Sequence, residues 1–133
     1  MIPFRLNYRP GIPISEQAVY AATRAIVAGQ LRAGDPFPSV RALSRELKIN
    51  PNTAHKVIAQ LLHDGLLESR PGIGTVVAEL PGSTAGQRTD LLGPQIEGLV
   101  VEAKRLSIDL DDMVSAISRH WKRLSIQTSG GSK

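Results

Sequence analysis

The stretch Asn50 to Leu61 reads N-P-N-T-A-H-K-V-I-A-Q-L, and it sets the amide of Asn52, the hydroxyl of Thr53, the imidazole of His55 and the ammonium of Lys56 at the start of an apolar periodicity. These groups donate or accept hydrogen bonds at the base edges of a DNA major groove, which is wide enough to admit a helix, and lysine also suits phosphate. Asn50 is a good helix cap because its side-chain oxygen accepts an orphan backbone N–H, and Pro51 at the first helical position has no N–H to leave unpaired. At about 100° per residue the apolar stripe centres near Ala54 and Leu61. Asn52, Lys56 and His63 then lie opposite, with Thr53 and His55 on the flanks. If the first two turns enter a groove, His63 lies too far along to reach bases. Taken singly, the same residues also suit an ordinary capped helix start and a solvated charge.

Other chemistries find little support. The chain has no cysteine, which removes disulfides, thiol nucleophiles and cysteine-ligated zinc. His55, His63 and His120 are scattered, and His63-Asp64 reads as a helix end before it reads as a catalytic or metal pair. Gly72-x-Gly74 is too short for a nucleotide fingerprint. No enzyme activity, metal or cofactor is expected.

At 133 residues the chain holds one ordinary domain, or a small domain with a helical appendage, and cannot hold a large enzyme fold. Apolar residues make up 41% and charged residues 21%, ordinary globular values. No apolar run approaches the roughly 18 residues of a membrane span. The start, M-I-P-F-R-L-N-Y-R-P-G, lacks the basic region and apolar run of a secretory signal, so a soluble, cytoplasmic protein is expected. The formal charge is +4, compatible with an ordinary surface, but residues 39–56 carry Arg41, Arg45, Lys48 and Lys56 against Glu46 alone. The excess surrounds the Asn50 to Leu61 stretch, where an anionic polymer is a sensible partner.

The elements that must position this stretch are legible from spacing. Ala18, Ala22, Ala25 and Ile26 predict a first helix from about Ser15 to Ala28, closed by Gly29. Residues 33–38 read as a turn. Ser39 caps a short second helix to about Leu47, carrying Val40, Leu43 and Leu47 inward. The third helix runs from Asn50-Pro51 to Gly65 with Ala54, Val57, Ile58, Leu61 and Leu62 on one face. Beyond it, Leu66 to Arg70 and Thr75 to Glu79 read as short strands about the Pro71 to Gly74 turn. Helix, short helix, helix and hairpin is the order of a winged helix-turn-helix. The expected fold is mainly α with a small β-hairpin wing: a DNA-binding domain over residues 1–80, a linker over 81–88 by its P-G-S-T-A-G-Q composition, a helical segment over 89–124 and a disordered tail over 125–133.

The run P-S-V-R-A-L-S-R-E-L-K-I-N-P-N-T-A-H-K-V-I-A-Q-L-L-H-D-G-L-L-E-S-R-P-G-I-G-T-V-V resembles the DNA-binding domain of GntR-family bacterial transcription regulators, including the Asp64 to Leu67 junction and the Ser69-Arg70-x-Gly72-x-Gly74 wing. Ser15 stands where the family often has an aromatic residue, and Phe37 where leucine is usual. The N-P-N-T phrase and the short helical C-terminus resemble the YtrA-like subfamily. The resemblance implies that Ser39 and Arg41 touch the phosphate backbone and that Asn52, Thr53, His55 and Lys56 face the groove. It places Arg70 with the Gly72 and Gly74 backbone at the minor groove or its phosphates. Arg70 as an exposed strand-end charge and the glycines as pure turn chemistry remain open beside it. The family commonly has glutamine near His55. Repression is its usual mode, and subfamily members often stand beside transporter operons.

Two helices after the linker carry Ile96, Leu99, Val100, Ala103 and Leu106, then Met113, Val114, Ile117, Trp121 and Leu124. Asp109 followed by Asp112 resembles a capping-box start for the second. The pair cannot enclose its own apolar faces. A second copy is the simplest cover, giving a homodimer that presents two third helices to an inverted-repeat double-stranded operator. Ile96, Leu99, Val100, Met113, Ile117 and Trp121 are the expected contact, although packing back on the chain's own first domain would use the same faces and Trp121 also suits a core. Alternative readings are a winged-helix protein–protein interaction module, disfavoured by the basic third helix, and a regulator sensing a small molecule at the dimer interface.

Overall fold

In the computed structural model, which describes residues 2–129, the first helix α1 (Ile14–Val27) buries Ala18, Ala22, Ala25 and Ile26 on one face. Gly29 follows it in the left-handed region, at φ 82°, where a Cβ is strongly disfavoured. Helix α2 (Val40–Leu47) starts at Ser39, whose Oγ accepts the Ala42 N–H at 3.1 Å. Helix α3 (Pro51–His63) starts at Asn50, whose Oδ1 accepts the Asn52 N–H at 2.7 Å, with Pro51 in its first turn. Both caps satisfy donors that a helix leaves unpaired at its start. Leu43 of α2 and Leu61 of α3 are fully buried. Each contributes on the order of 1.5–3 kcal/mol by leaving water, and together they fix the angle at which α3 projects its other face.

The turn between α2 and α3 is less relaxed. Lys48 closes α2 at φ 57°, a left-handed conformation that costs a side-chain-bearing residue about 1–2 kcal/mol. That reversal brings Asn50 into position to cap α3.

Strands β1 (Leu67–Arg70) and β2 (Gly74–Val77) form the antiparallel hairpin, with Leu67 opposite Val77 and Arg70 opposite Gly74. The free edge of β2 is covered by residues 34–37: Phe37 N–H donates to Thr75 O at 2.9 Å, Val77 N–H to Asp35 O at 2.8 Å and Gly34 N–H to Val77 O at 2.7 Å. The expected turn there is therefore also a third strip of the wing, and it protects an edge that would otherwise template pairing with another chain. It drives Phe37 into the core, where its ring stacks on Phe4 at a 6.3 Å centroid separation. The N-terminal segment is held by Gln17. Its buried amide accepts from Arg9 N–H at 3.1 Å and donates to the carbonyls of Arg9 at 3.0 Å and Ile12 at 2.8 Å.

The chain divides into two units, one comprising the chain to Pro81 with the segment from Leu124, the other Gly82–Arg123. The second unit begins with α4 (Ala85–Asp90), which continues through a π-helical turn over Leu91–Gln95 into α5 (Ile96–Arg105). Pro94 sits in that turn. Proline has no N–H and its ring crowds the carbonyl four residues back, and a wider turn relieves both problems without ending the helix. Helix α6 (Leu110–Ser129) follows, with Asp109 Oδ1 accepting the Asp112 N–H at 2.9 Å.

Two boundaries differ from the sequence reading. The linker expected over 81–88 shortens, because Thr84 and Gln87 form a reciprocal capping box and start α4 at Ala85: Gln87 N–H donates to Thr84 Oγ1 at 3.0 Å and Thr84 N–H to Gln87 Oε1 at 2.9 Å. The tail expected over 125–133 is helical to Ser129, and its remaining residues, 130–133, lie outside the described residues.

Candidate nucleic-acid interface

With Ala54, Val57, Ile58 and Leu61 of α3 buried, Asn52, His55, Lys56, Ala59, Gln60 and His63 form the exposed stripe of the same helix. The stripe follows from the helical period alone: residues three and four apart share a face. Thr53 is half-buried at its margin. The first two turns carry the amide, imidazole and ammonium groups. One turn later the stripe narrows to Ala59, and Gln60 is occupied by donating to Asp64 Oδ1 at 2.9 Å. Groups free to meet a new partner thus concentrate at the capped end of α3.

Ser39 and Arg41 stand exposed at the start of α2. The Ser39 oxygen accepts from Ala42 N–H, but the hydroxyl keeps its own proton to donate to a phosphate oxygen. Arg41 has no ion-pair or hydrogen-bond partner among the described residues, so its five N–H donors face solvent. Arg45 and Lys48 are exposed as well, and with Arg41 they outnumber Glu46 in the segment that leads into α3.

The wing differs. Arg70 Nε donates to Glu68 Oε2 at 2.7 Å across an exposed pair. An exposed ion pair contributes about 0–1 kcal/mol, which a phosphate can displace, but Arg70 is pre-neutralised in a way that Arg41 is not. Gly72 and Gly74 take φ of 76° and 110°, and a Cβ at either would meet nothing within 4 Å. Their requirement is backbone conformation, which suits the turn and leaves the backbone open to a partner. Between them Ile73 is 69% exposed at the wing tip, its N–H donating to Arg70 O at 3.1 Å. The sequence reading passed over Ile73 because it sought polar groups. An isolated aliphatic residue between two turn glycines was the available signal, since apolar side chains often act as wedges at minor grooves.

In the unit Gly82–Arg123, Ala103 is the one buried side chain among the described residues. Leu99 and Val100 on α5 are 52% and 42% exposed, Ile117 and Trp121 on α6 are 49% and 73% exposed, and Ile96 and Met113 are half-buried. So large an apolar surface on so small a unit is the usual mark of an interaction face. Among the described residues no group of three or more His, Asp or Glu is placed to hold a metal ion, and no helix is long and apolar enough to cross a membrane.

Comparison with known proteins bears on the whole arrangement. Residues 14–77, from the start of α1 to the end of the wing, match the family described as bacterial regulatory proteins, gntR family. The chain is 30% identical to the uncharacterized HTH-type transcriptional regulator YhcF of Bacillus subtilis (strain 168), over 80% of this chain and 84% of that one. It is 28% identical to the HTH-type transcriptional repressor YtrA of the same organism, over 97% of each chain. Among solved structures, a GntR family transcriptional regulator from Listeria monocytogenes superposes with a TM-score of 0.64 at 25% identity, covering 84% of this chain and 98% of that one.

Proposed function

Because this chain belongs to the GntR family of bacterial regulatory proteins, and so is a DNA-binding transcription regulator with no enzymatic role, we propose that it represses transcription as a homodimer bound to an inverted-repeat operator in the cytoplasm. The observation that carries this reading is the capped tip of α3. Asn52, His55 and Lys56 are exposed there, set by the buried face of α3, and Arg41 is exposed at the start of the preceding helix with no ion-pair partner among the described residues. In this reading Asn52, Thr53, His55 and Lys56 meet base edges in the major groove. Ser39 and Arg41 hold the phosphate backbone, and Arg70 with the wing glycines lies along the minor groove.

The exposed faces of α5 and α6 supply the dimer. Leu99, Val100, Ile117 and Trp121, with the half-buried Ile96 and Met113, meet their counterparts across a two-fold axis, since a face that covers one side of two helices finds its complement in a second copy. The YtrA relative is named a repressor, and occupying promoter DNA needs no chemistry beyond the contacts described. Control of a transporter operon extends the same reading.

The test is selection of duplexes from a random pool by the full-length chain. An inverted-repeat consensus bound by two copies per duplex is expected. A single unrepeated site bound by one copy contradicts the dimeric reading.

A further inference from the structure

A basic groove lies between the N-terminal segment and α1. Its volume is about 850 Å3, and Arg5, Asn7, Arg9, Arg24 and Tyr20 stand along it with Glu16 as the opposing acid. None of the three guanidinium groups has an ion-pair or hydrogen-bond partner among the described residues. The segment that carries Arg5 and Arg9 has no regular secondary structure, yet it is anchored at both ends: Phe4 stacks on Phe37, and the Gln17 amide holds the backbone at Arg9 and Ile12. Its arginines therefore project from a fixed frame, and a partner that binds them has little chain entropy left to remove.

The groove adjoins one that α3 lines in part. A neighbouring groove of about 760 Å3 is lined by His55 and Lys56 of α3, and it shares Glu16 and Tyr20 of α1 with the arginine groove. The two grooves thus lie on either side of Glu16 and Tyr20 of α1. The arginine groove is net positive, with Arg5, Arg9 and Arg24 against Glu16, whereas the groove on the α3 side sets Lys56 against Glu16 and Asp64.

Resting on the DNA-binding reading above, we infer that the Arg5, Arg9 and Arg24 groove binds phosphates of the DNA backbone outside the sequence that α3 reads. Arginine forms charge-assisted, often bidentate bonds to phosphate oxygens. Each backbone phosphate neutralised adds about 0.9 to the slope of log affinity against log salt concentration. The groove thereby lengthens the contacted DNA without adding sequence information.

The experiment compares two duplexes of the selected operator, one ending at the consensus and one extended by about ten base pairs on each side, about one helical turn. Binding of the full-length chain is followed by fluorescence anisotropy over a salt series. The wild type should bind the longer duplex more tightly and with a steeper slope. A triple variant, Arg5→Ala, Arg9→Ala and Arg24→Ala, should give the same affinity and slope on both. The corresponding triple lysine variant, which keeps the charge, should keep most of the gain and guards against loss of fold in the alanine form. A triple alanine variant that keeps the wild-type gain overturns the proposal, and so does a wild type that shows none. If the wild type binds neither duplex, the DNA-binding reading itself fails; binding to the short duplex that depends on Arg41 shows that reading intact whatever the groove does.

Discussion

Arg41→Ala removes a cation that has no ion-pair or hydrogen-bond partner among the described residues, so its effect falls on the complex and leaves the free protein's fold nearly unchanged. Arg41 is exposed at the start of α2, outside the core that Leu43 fills. If each copy loses one phosphate contact, the slope of log affinity against log salt flattens by about 0.9 per protomer, or about 1.8 for a dimer. From 50 to 200 mM salt, a change of about 0.6 log units, the wild type should then lose about tenfold more affinity than the variant. Because a backbone contact carries no sequence information, the loss at fixed salt should be similar for operator and unrelated DNA. Anisotropy titrations at four or five salt concentrations on both duplexes give these values directly. An unchanged slope would refute the reasoning and remove Arg41 from the phosphate contacts. A loss confined to the operator would instead make it a base-reading residue.

Two further outcomes test other parts of the account. Ile117→Glu places a charge on the exposed apolar face of α6, and sedimentation should show monomers that still melt cooperatively but bind the operator far more weakly, because the second half-site contact is no longer intramolecular; a variant that remains dimeric would move the interface elsewhere. Lys48→Gly relieves the left-handed residue between α2 and α3, and after the entropy cost of glycine it should stabilise the chain by about 0.5–1 kcal/mol, read as an upward shift of a few degrees in thermal melting.

The helices of the first unit were legible in the sequence because their signals are local. Ser39 and Asn50 announce their helix starts by residue type, and the apolar period of α3 fixes which side chains remain outside. Features that depend on partners distant in sequence were not. Residues 33–38 carry turn signal at Gly34, Pro36 and Pro38, and the pairing of residues 34–37 with β2 is invisible until the hairpin is in place. The start of α4 is hidden for a different reason: P-G-S-T-A-G-Q has the composition of a linker, while Thr84 and Gln87 within it form a capping box. At the interface, residue type marked Asn52, His55 and Lys56 and the family resemblance marked Arg41, but neither could reveal that Arg70 is paired with Glu68 while Arg41 has no ion-pair partner among the described residues. Pairing of an exposed charge is set by rotamers and neighbours, not by periodicity. The groove holding Arg5, Arg9 and Arg24 was hidden similarly, since it exists only once Gln17 has folded the N-terminal segment onto α1.

The central claim is that the capped tip of α3 reads bases while α2 holds the backbone. Selection of duplexes from a random pool by the wild type, by His55→Ala and by Arg41→Ala separates the two roles most directly. His55 is exposed on α3, and its loss should relax the consensus at one position of each half-site by on the order of 1–3 kcal/mol of discrimination while non-specific affinity barely changes. Arg41→Ala should return the wild-type consensus at lower affinity. If His55→Ala selects the same consensus with the same stringency, its base-reading role is wrong, and specificity would rest on Asn52, Thr53 and Lys56 or on DNA shape alone.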